Sequence, residues 1–461
     1  MGICLITAPI STDFEDAGEA ASYEVLTTAR SPHLGVLSLA AALEEAGIKP
    51  LIFNTDRAYY DYLDGCPSKG LAAFADWAAG RIAACGAEVF GFSSICSSYP
   101  LTIRISECVK RRVPDCTIVF GGPQASVVDL PTLEAFGFVD MVLRGEADCT
   151  LPVLLEELGG KRRFPAVPGL TYRSPFGLQR TADAPVIQDL DTLPLPAYHL
   201  TGELNKDAPF ASLELGRGCP FACTFCSTND FFRRKFRVKS PERMLADMRA
   251  IASRYGIRAF DLMHDMFTVD RRRVVAFCDC MIDSGENFTW TCSARTDCVD
   301  EELLELMVRA GCESVFFGVE TGSKRMQRII DKDLDPGQAR RAIEIAERLG
   351  LSTTVSLITA FPEENEDDLR QTVGMYMHSM RHAKSSPQLN ILAPLAGTPI
   401  YAKHKDRMVL DDLCSEMSHQ GRMQNDADRE LIRKYPEIFP NFYILETPGL
   451  DRPFCLELRL S

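Results

Sequence analysis

The chain has 461 residues and a formal net charge of −14, with 46% hydrophobic and 25% charged residues. That length holds two or three domains with a large core. The acidity excludes a sequence-independent nucleic-acid binder, which needs a basic surface, and no apolar run is long enough to span a bilayer.

In the first 160 residues, short apolar runs alternate with amphipathic stretches. Residues 3–8 predict a strand, 36–46 a helix and 50–54 a strand, followed by strands at 89–93, 117–120 and 139–143. Such alternation predicts an α/β fold with a parallel, doubly wound, Rossmann-like sheet. Ligands of these sheets bind at the carboxyl ends of the strands. Those ends carry Ser94, Ser97 and Ser98, then Gly121-Gly122-Pro123, then Gly145-Glu146. Small residues there let a large flat ligand approach the backbone.

The pattern breaks over 161–205. Segments 167–172 and 178–181 predict a hairpin around Ser174-Pro175-Phe176-Gly177, and the proline-rich 193–198 a stiff extended connector.

From 206 the βα alternation resumes. Strands are expected at 211–215, 259–263, 290–293, 314–319, 353–358 and 388–392. The helix after Ser240 has a capping hydroxyl, Pro241 at its first position and Gly256 at its end. Asp300 caps another. Six βα units in succession predict a partial barrel, whose ligand groups come from the carboxyl ends of its strands. Residues 401–461 are irregular and aromatic-rich; they are expected to close the barrel mouth, or to dock as a tail.

The first strand of this half runs into Gly216-Arg217-Gly218-Cys219-Pro220-Phe221-Ala222-Cys223-Thr224-Phe225-Cys226. Iron–sulfur clusters are normally held by four thiolates, so a C-x3-C-x2-C loop leaves one iron open, and an open position is where chemistry occurs. Zinc would need a fourth ligand near in sequence, and the next histidine downstream is His264. The chain has 17 cysteines. Outside the triad they are scattered over predicted helices and strands, as small buried hydrophobes in a reducing compartment.

The cysteine loop resembles that of radical S-adenosylmethionine (radical SAM) enzymes, in which SAM chelates the open iron of a 4Fe-4S cluster. The first half is similar to the cobalamin-binding domain that precedes the barrel in many of these enzymes. The match there is the segment Ser31-Pro32-His33-Leu34-Gly35 leading into the first helix, and the Gly121-Gly122 turn. The resemblance implies a cobalamin-binding-like domain at 1–160, a linker with hairpin at 161–205, a partial (β/α)6 barrel at 206–400 and an extension at 401–461. Cys219, Cys223 and Cys226 would hold the cluster, with Phe225 near the adenine of SAM. Asp265 would take the amino group of SAM, Arg295 its carboxylate, and Glu320 the ribose or amino group. Ala360 stands where the family often has glycine. The corrinoid would lie against Pro32, Gly35, Ser94, Ser97, Gly121, Gly122, Gly145 and Glu146. The D-x-H-x-x-G box that supplies a cobalt ligand in the mutases is missing, and His33 reads as a loop residue.

The activity so implied is that of a cobalamin-dependent radical SAM C-methyltransferase. It would cleave SAM reductively to a 5′-deoxyadenosyl radical and transfer methyl from methylcobalamin to an unactivated carbon. Its cofactors would be a 4Fe-4S cluster, SAM and cobalamin, with electrons from a donor such as flavodoxin or ferredoxin. The alternatives are a non-methylating radical SAM cyclase or rearrangement enzyme, and a non-catalytic cobalamin- or SAM-binding sensor. The substrate class (small metabolite, sugar, lipid or peptide) stays open. A cytoplasmic location is expected, since the N-terminal stretch lacks a basic region before its short apolar run.

Overall fold

The computed structural model describes residues 2–9, 33–65, 70–202, 208–410, 426–451 and 453. Pro32, expected beside the corrinoid, lies outside them. Among the described residues there are two large sheets, each with its own helices.

The first sheet has the order β2-β1-β3-β4-β5-β6-β7. Its strands are β1 (Ile3–Ile6), β2 (Leu51–Phe53), β3 (Val89–Ser93), β4 (Thr117–Gly121), β5 (Met141–Leu143), β6 (Leu170–Ser174) and β7 (Gly177–Arg180). The first five are parallel, and the order reverses between β1 and β3, which creates the crevice where doubly wound sheets bind ligands. Apolar cores lie on both faces, one built on Cys4, Phe90 and Phe120 and the other on Ile3, Val89 and Val119. The hairpin expected in the linker is instead part of this sheet, since β6 pairs antiparallel with β5. Pairing there covers the open edge of β5, whose backbone groups would otherwise lack partners.

The second sheet runs β15-β14-β13-β12-β11-β8, every pair parallel. These strands are β8 (Ala211–Glu214), β11 (Ala259–Met263), β12 (Thr289–Ala294), β13 (Cys312–Glu320), β14 (Ser352–Thr359) and β15 (Ser385–Ile391). Between β8 and β11 a short ribbon pairs β9 (Gly216–Arg217) with β10 (Arg237–Val238). Helices cover the outer face, where Phe260, Trp290, Val315 and Val355 form the core.

The chain then returns to the first domain. Ile438, Phe439 and Phe442 are buried in its core, and Gln124 donates to the Ile438 carbonyl at 2.8 Å. A last ribbon, β16 (Met408–Leu410) with β17 (Tyr443–Leu445), packs Leu445 beside Phe361 of the barrel. The described part of the extension thus straps both domains together rather than only covering the barrel mouth.

Candidate active site

The cysteine loop is fastened at both ends. The β9–β10 ribbon closes its base, and Gly218 there has φ 80° with room for no side chain, since a Cβ would lie 2.3 Å from the Lys235 carbonyl. Further along, Thr224 donates its N–H to the Ile330 carbonyl at 2.9 Å and accepts from the Ile400 N–H at 3.0 Å. Burial raises the pKa of all three thiols, that of Cys223 to about 11, and Cys226 adds to the rise at Cys219 and Cys223. Bound iron reverses that order, because a coordinating thiol gives up its proton outright. Among the described residues no three His, Cys, Asp or Glu side chains converge as a single-ion site. A zinc knuckle needs such convergence, whereas thiolates that each hold a different iron of a cluster do not. The cysteine set fits the cluster.

The charged groups at the barrel strand ends gather around this loop. Asp265, just after β11, accepts from the Gly218 N–H and the Thr228 hydroxyl, both at 3.1 Å, so it braces the loop as well as facing the site. Burial raises its pKa. His264 bonds through Nε2 to the Gly218 carbonyl at 3.1 Å, and burial depresses its pKa to about 4. Arg295, after β12, forks onto Asp297 at 2.8 and 2.9 Å and lies 3.7 Å over the ring of Phe221 inside the loop. Glu320 ends β13 with φ 66° and pairs with Lys332 at 2.6 Å.

Lys332 is the group that sequence reading missed. It is buried, its ammonium lies 6.0 Å from the ring centre of Phe225, and its charge opposes the rise of the Cys223 and Cys226 pKa values. A lone lysine between Asp331 and Asp333 reads as a solvated loop, although both aspartates are held at positive φ. Phe225 itself meets Phe361 edge-on at 5.9 Å. Ala360 has φ 64°, a left-handed conformation that explains why glycine suits this corner.

At the carboxyl ends of β1 and β3–β5 lies an open-sided cavity of about 250 Å³. Gly35, Gly121, Gly122, Gly145 and Glu146 line it from the first domain, and Arg217, Phe231 and Phe232 from the cysteine-loop side. Gly122 has φ 92°, and a Cβ there would lie 2.7 Å from the Ser94 carbonyl; beside Gly35 there is nothing within 4 Å. Ser94 and Ser97 do not line the cavity. Ser94 is fully buried, its hydroxyl donating to the Gly121 carbonyl at 2.7 Å and accepting from the Ala125 N–H at 2.9 Å, which pins the glycine corner. Glu146 lines the cavity but is ion-paired to Arg217 at 3.2 Å and Arg237 at 2.7 Å. His33 is bound to Asp56 at 2.8 Å, away from the lining. A wide crevice walled by glycines and apolar side chains fits a large flat cofactor.

Residues 213–375 match the family model described as the radical SAM superfamily. That stretch is a radical SAM domain. The fold of the chain, a doubly wound domain ahead of a partial barrel, is shared with cobalamin-dependent radical SAM enzymes of known structure. The radical SAM methyltransferase TsrM from Kitasatospora setae, solved with cobalamin and a 4Fe-4S cluster, superposes with a TM-score of 0.73 at 14% identity, covering 100% of this chain and 91% of that one. In sequence, an uncharacterized methyltransferase of Pyrococcus horikoshii is 27% identical over 68% of each chain. The anaerobic magnesium-protoporphyrin IX monomethyl ester cyclase of a Synechocystis species is 26% identical over 63% of this chain and 59% of its own length.

Proposed function

We propose that this protein is a cobalamin-dependent radical SAM methyltransferase acting on an unactivated carbon. One observation carries the reading: the cysteine loop and the glycine-walled cavity share a wall. Arg217, two residues before Cys219, lines that cavity. When bound, the cluster supplies the electron that splits the sulfonium of SAM, and the corrinoid carries the methyl group. The chain's own part is to bind, orient and exclude water. Arg295 and Lys332, already paired with Asp297 and Glu320, bring hydrogen-bond donors beside the loop, Asp265 brings a carboxylate without a cationic partner among the described residues, and Phe225 an apolar face for the adenine. Asp265 retains lone pairs beyond those used by Gly218 and Thr228, enough for an ammonium group. Electrons would come from a flavodoxin- or ferredoxin-type donor in the cytoplasm, where thiols and cluster stay reduced.

The test is anaerobic reconstitution followed by quantitation of iron, sulfide and corrinoid, then incubation with SAM and a reductant. A methyltransferase yields both 5′-deoxyadenosine and S-adenosylhomocysteine. Likeness to the Synechocystis cyclase favours a second reading, a non-methylating enzyme, which yields 5′-deoxyadenosine alone. A sensor yields neither.

A further inference from the structure

Parallel sheets are ordinarily covered on both faces, and among the described residues helices cover the barrel sheet on one. Residues that point outward, such as Phe260, Trp290, Val315 and Phe317, are buried under the helices. Of those that alternate with them and face inward, Ser212 and Ser356 are buried, but Met263 is 46% exposed and Phe316 40%. A closed barrel fills this interior with branched apolar side chains. Here hydroxyls stand instead, and strand register sets them in layers. Ser212, Asp261, Thr291, Ser314 and Ser352 lie abreast in one. Above it Met263 lies beside Glu214, and Phe316 between Ser293 and Thr354.

Asp261 is the charged group of the lower layer. It accepts the Thr291 hydroxyl at 2.8 Å, which leaves most of its lone pairs open. The cations nearer the cysteine loop are committed elsewhere, Arg217 to Asp148 and Glu214, Arg295 to Asp297 and Lys332 to Glu320. With Glu214 and Glu320 taken up in those same pairs, Asp261 is the carboxylate left among the hydroxyls of this face. The face is continuous with the site above, since Asp261 lies four residues along the chain from Asp265, about 13 Å of extended backbone.

We propose that this inward face seats the substrate, and that the substrate is an elongated small molecule bearing an amine. The ammonium would bind Asp261, a flat apolar group would lie over Met263 and Phe316, and the far end would reach the cysteine loop. A lipid or a wide macrocycle would leave the hydroxyl layers and a carboxylate desolvated without partners, which is costly. The proposal rests on the radical SAM reading and narrows its substrate class.

Three probes of matched shape test it: 2-phenylethylamine, 2-phenylethanol and ethylbenzene. Each is titrated calorimetrically into the anaerobically reconstituted holoenzyme with SAM present. The amine is expected to bind at least about tenfold more tightly than the alcohol, as a charge-assisted hydrogen bond implies. Asp261→Asn should erase that advantage and Asp261→Glu should preserve it, while Phe316→Ala weakens all three probes. Iron content and melting temperature identify any variant that fails to fold, and the Glu variant keeps the test decisive in that case. Equal affinities for the three probes, or an amine preference that survives Asp261→Asn, would overturn the proposal while SAM cleavage stands. Absence of SAM cleavage by the native chain would instead sink the radical reading, however the probes bind.

Discussion

Arg217 holds Asp148 through both terminal nitrogens, at 2.8 and 2.9 Å, across the boundary between the two domains. Glu214 and Glu146 complete the ring around the same guanidinium, at 2.7 and 3.2 Å. All three pairings are largely sealed from water, so each charge depends on its partners rather than on solvation. The wall of the glycine crevice and the root of the cysteine loop are thereby joined as one piece.

Breaking this ring from its centre should be more damaging than trimming its rim. Arg217→Ala leaves several carboxylates facing one another and is expected to cost about 3–5 kcal/mol, the usual penalty for stranding a buried charge. Asp148→Ala leaves the arginine with Glu214 and Glu146 and should cost less. Urea unfolding of both single variants and of the double variant measures the coupling. Equal losses for the two single variants would show that the ring has no centre.

Two glycines of the crevice separate backbone strain from ligand contact. Gly122→Ala must hold a side chain at φ 92° against the Ser94 carbonyl. It should cost roughly 1–3 kcal/mol before any ligand is added. Gly35→Ala meets open space and should leave the melting temperature of the ligand-free chain unchanged. If the corrinoid occupies that space, hydroxocobalamin retained after gel filtration will fall in Gly35→Ala. Unchanged retention there would move the corrinoid away from Gly35.

Much of this arrangement was legible in the residues. The six barrel strands follow from apolar runs spaced by helices, and the helix Pro241–Tyr255 has the ends its sequence announces: the Ser240 hydroxyl accepts the Arg243 N–H, and Gly256 closes at φ 76°. Partnership across space was not legible. The turn residues Ser174-Pro175-Phe176-Gly177 mark 167–172 and 178–181 as a hairpin but carry no record of the edge it will pair with. Ser94 has the composition of a ligand contact and proves to be a buried brace, because exposure depends on the helix packed over it. Lys332 and Glu320 are twelve positions apart, and only the turn after the helix Lys324–Ile329 brings them to 2.6 Å.

The thiolates are predicted to matter for chemistry far more than for folding. Cys219→Ala, Cys223→Ala and Cys226→Ala should each lose most of the reconstituted iron and all 5′-deoxyadenosine formation. Their unfolding free energies as metal-free chains should shift by only about 1 kcal/mol, since one small side chain is trimmed in a loop held by its backbone. A triple variant that still releases 5′-deoxyadenosine would remove the cluster from the mechanism.

Glu364 should impose a pH dependence on stability. Its carboxyl accepts from the Thr359 hydroxyl at 3.0 Å and the Phe361 N–H at 3.2 Å. Burial outweighs both bonds and raises its pKa from 4.5 to about 7. Below about pH 4.5 the folded and unfolded chains both carry this proton, and the group favours neither. As pH rises towards 7 the unfolded chain releases the proton first, so stability falls, and the loss is complete above the folded value. The whole effect is roughly 3 kcal/mol. Glu364→Gln keeps an acceptor for both donors and has no charge to desolvate. It should therefore melt higher than the native chain at about pH 8 and together with it near pH 4.5. A difference in melting temperature that stays constant across this range would place the burden on packing rather than on the proton.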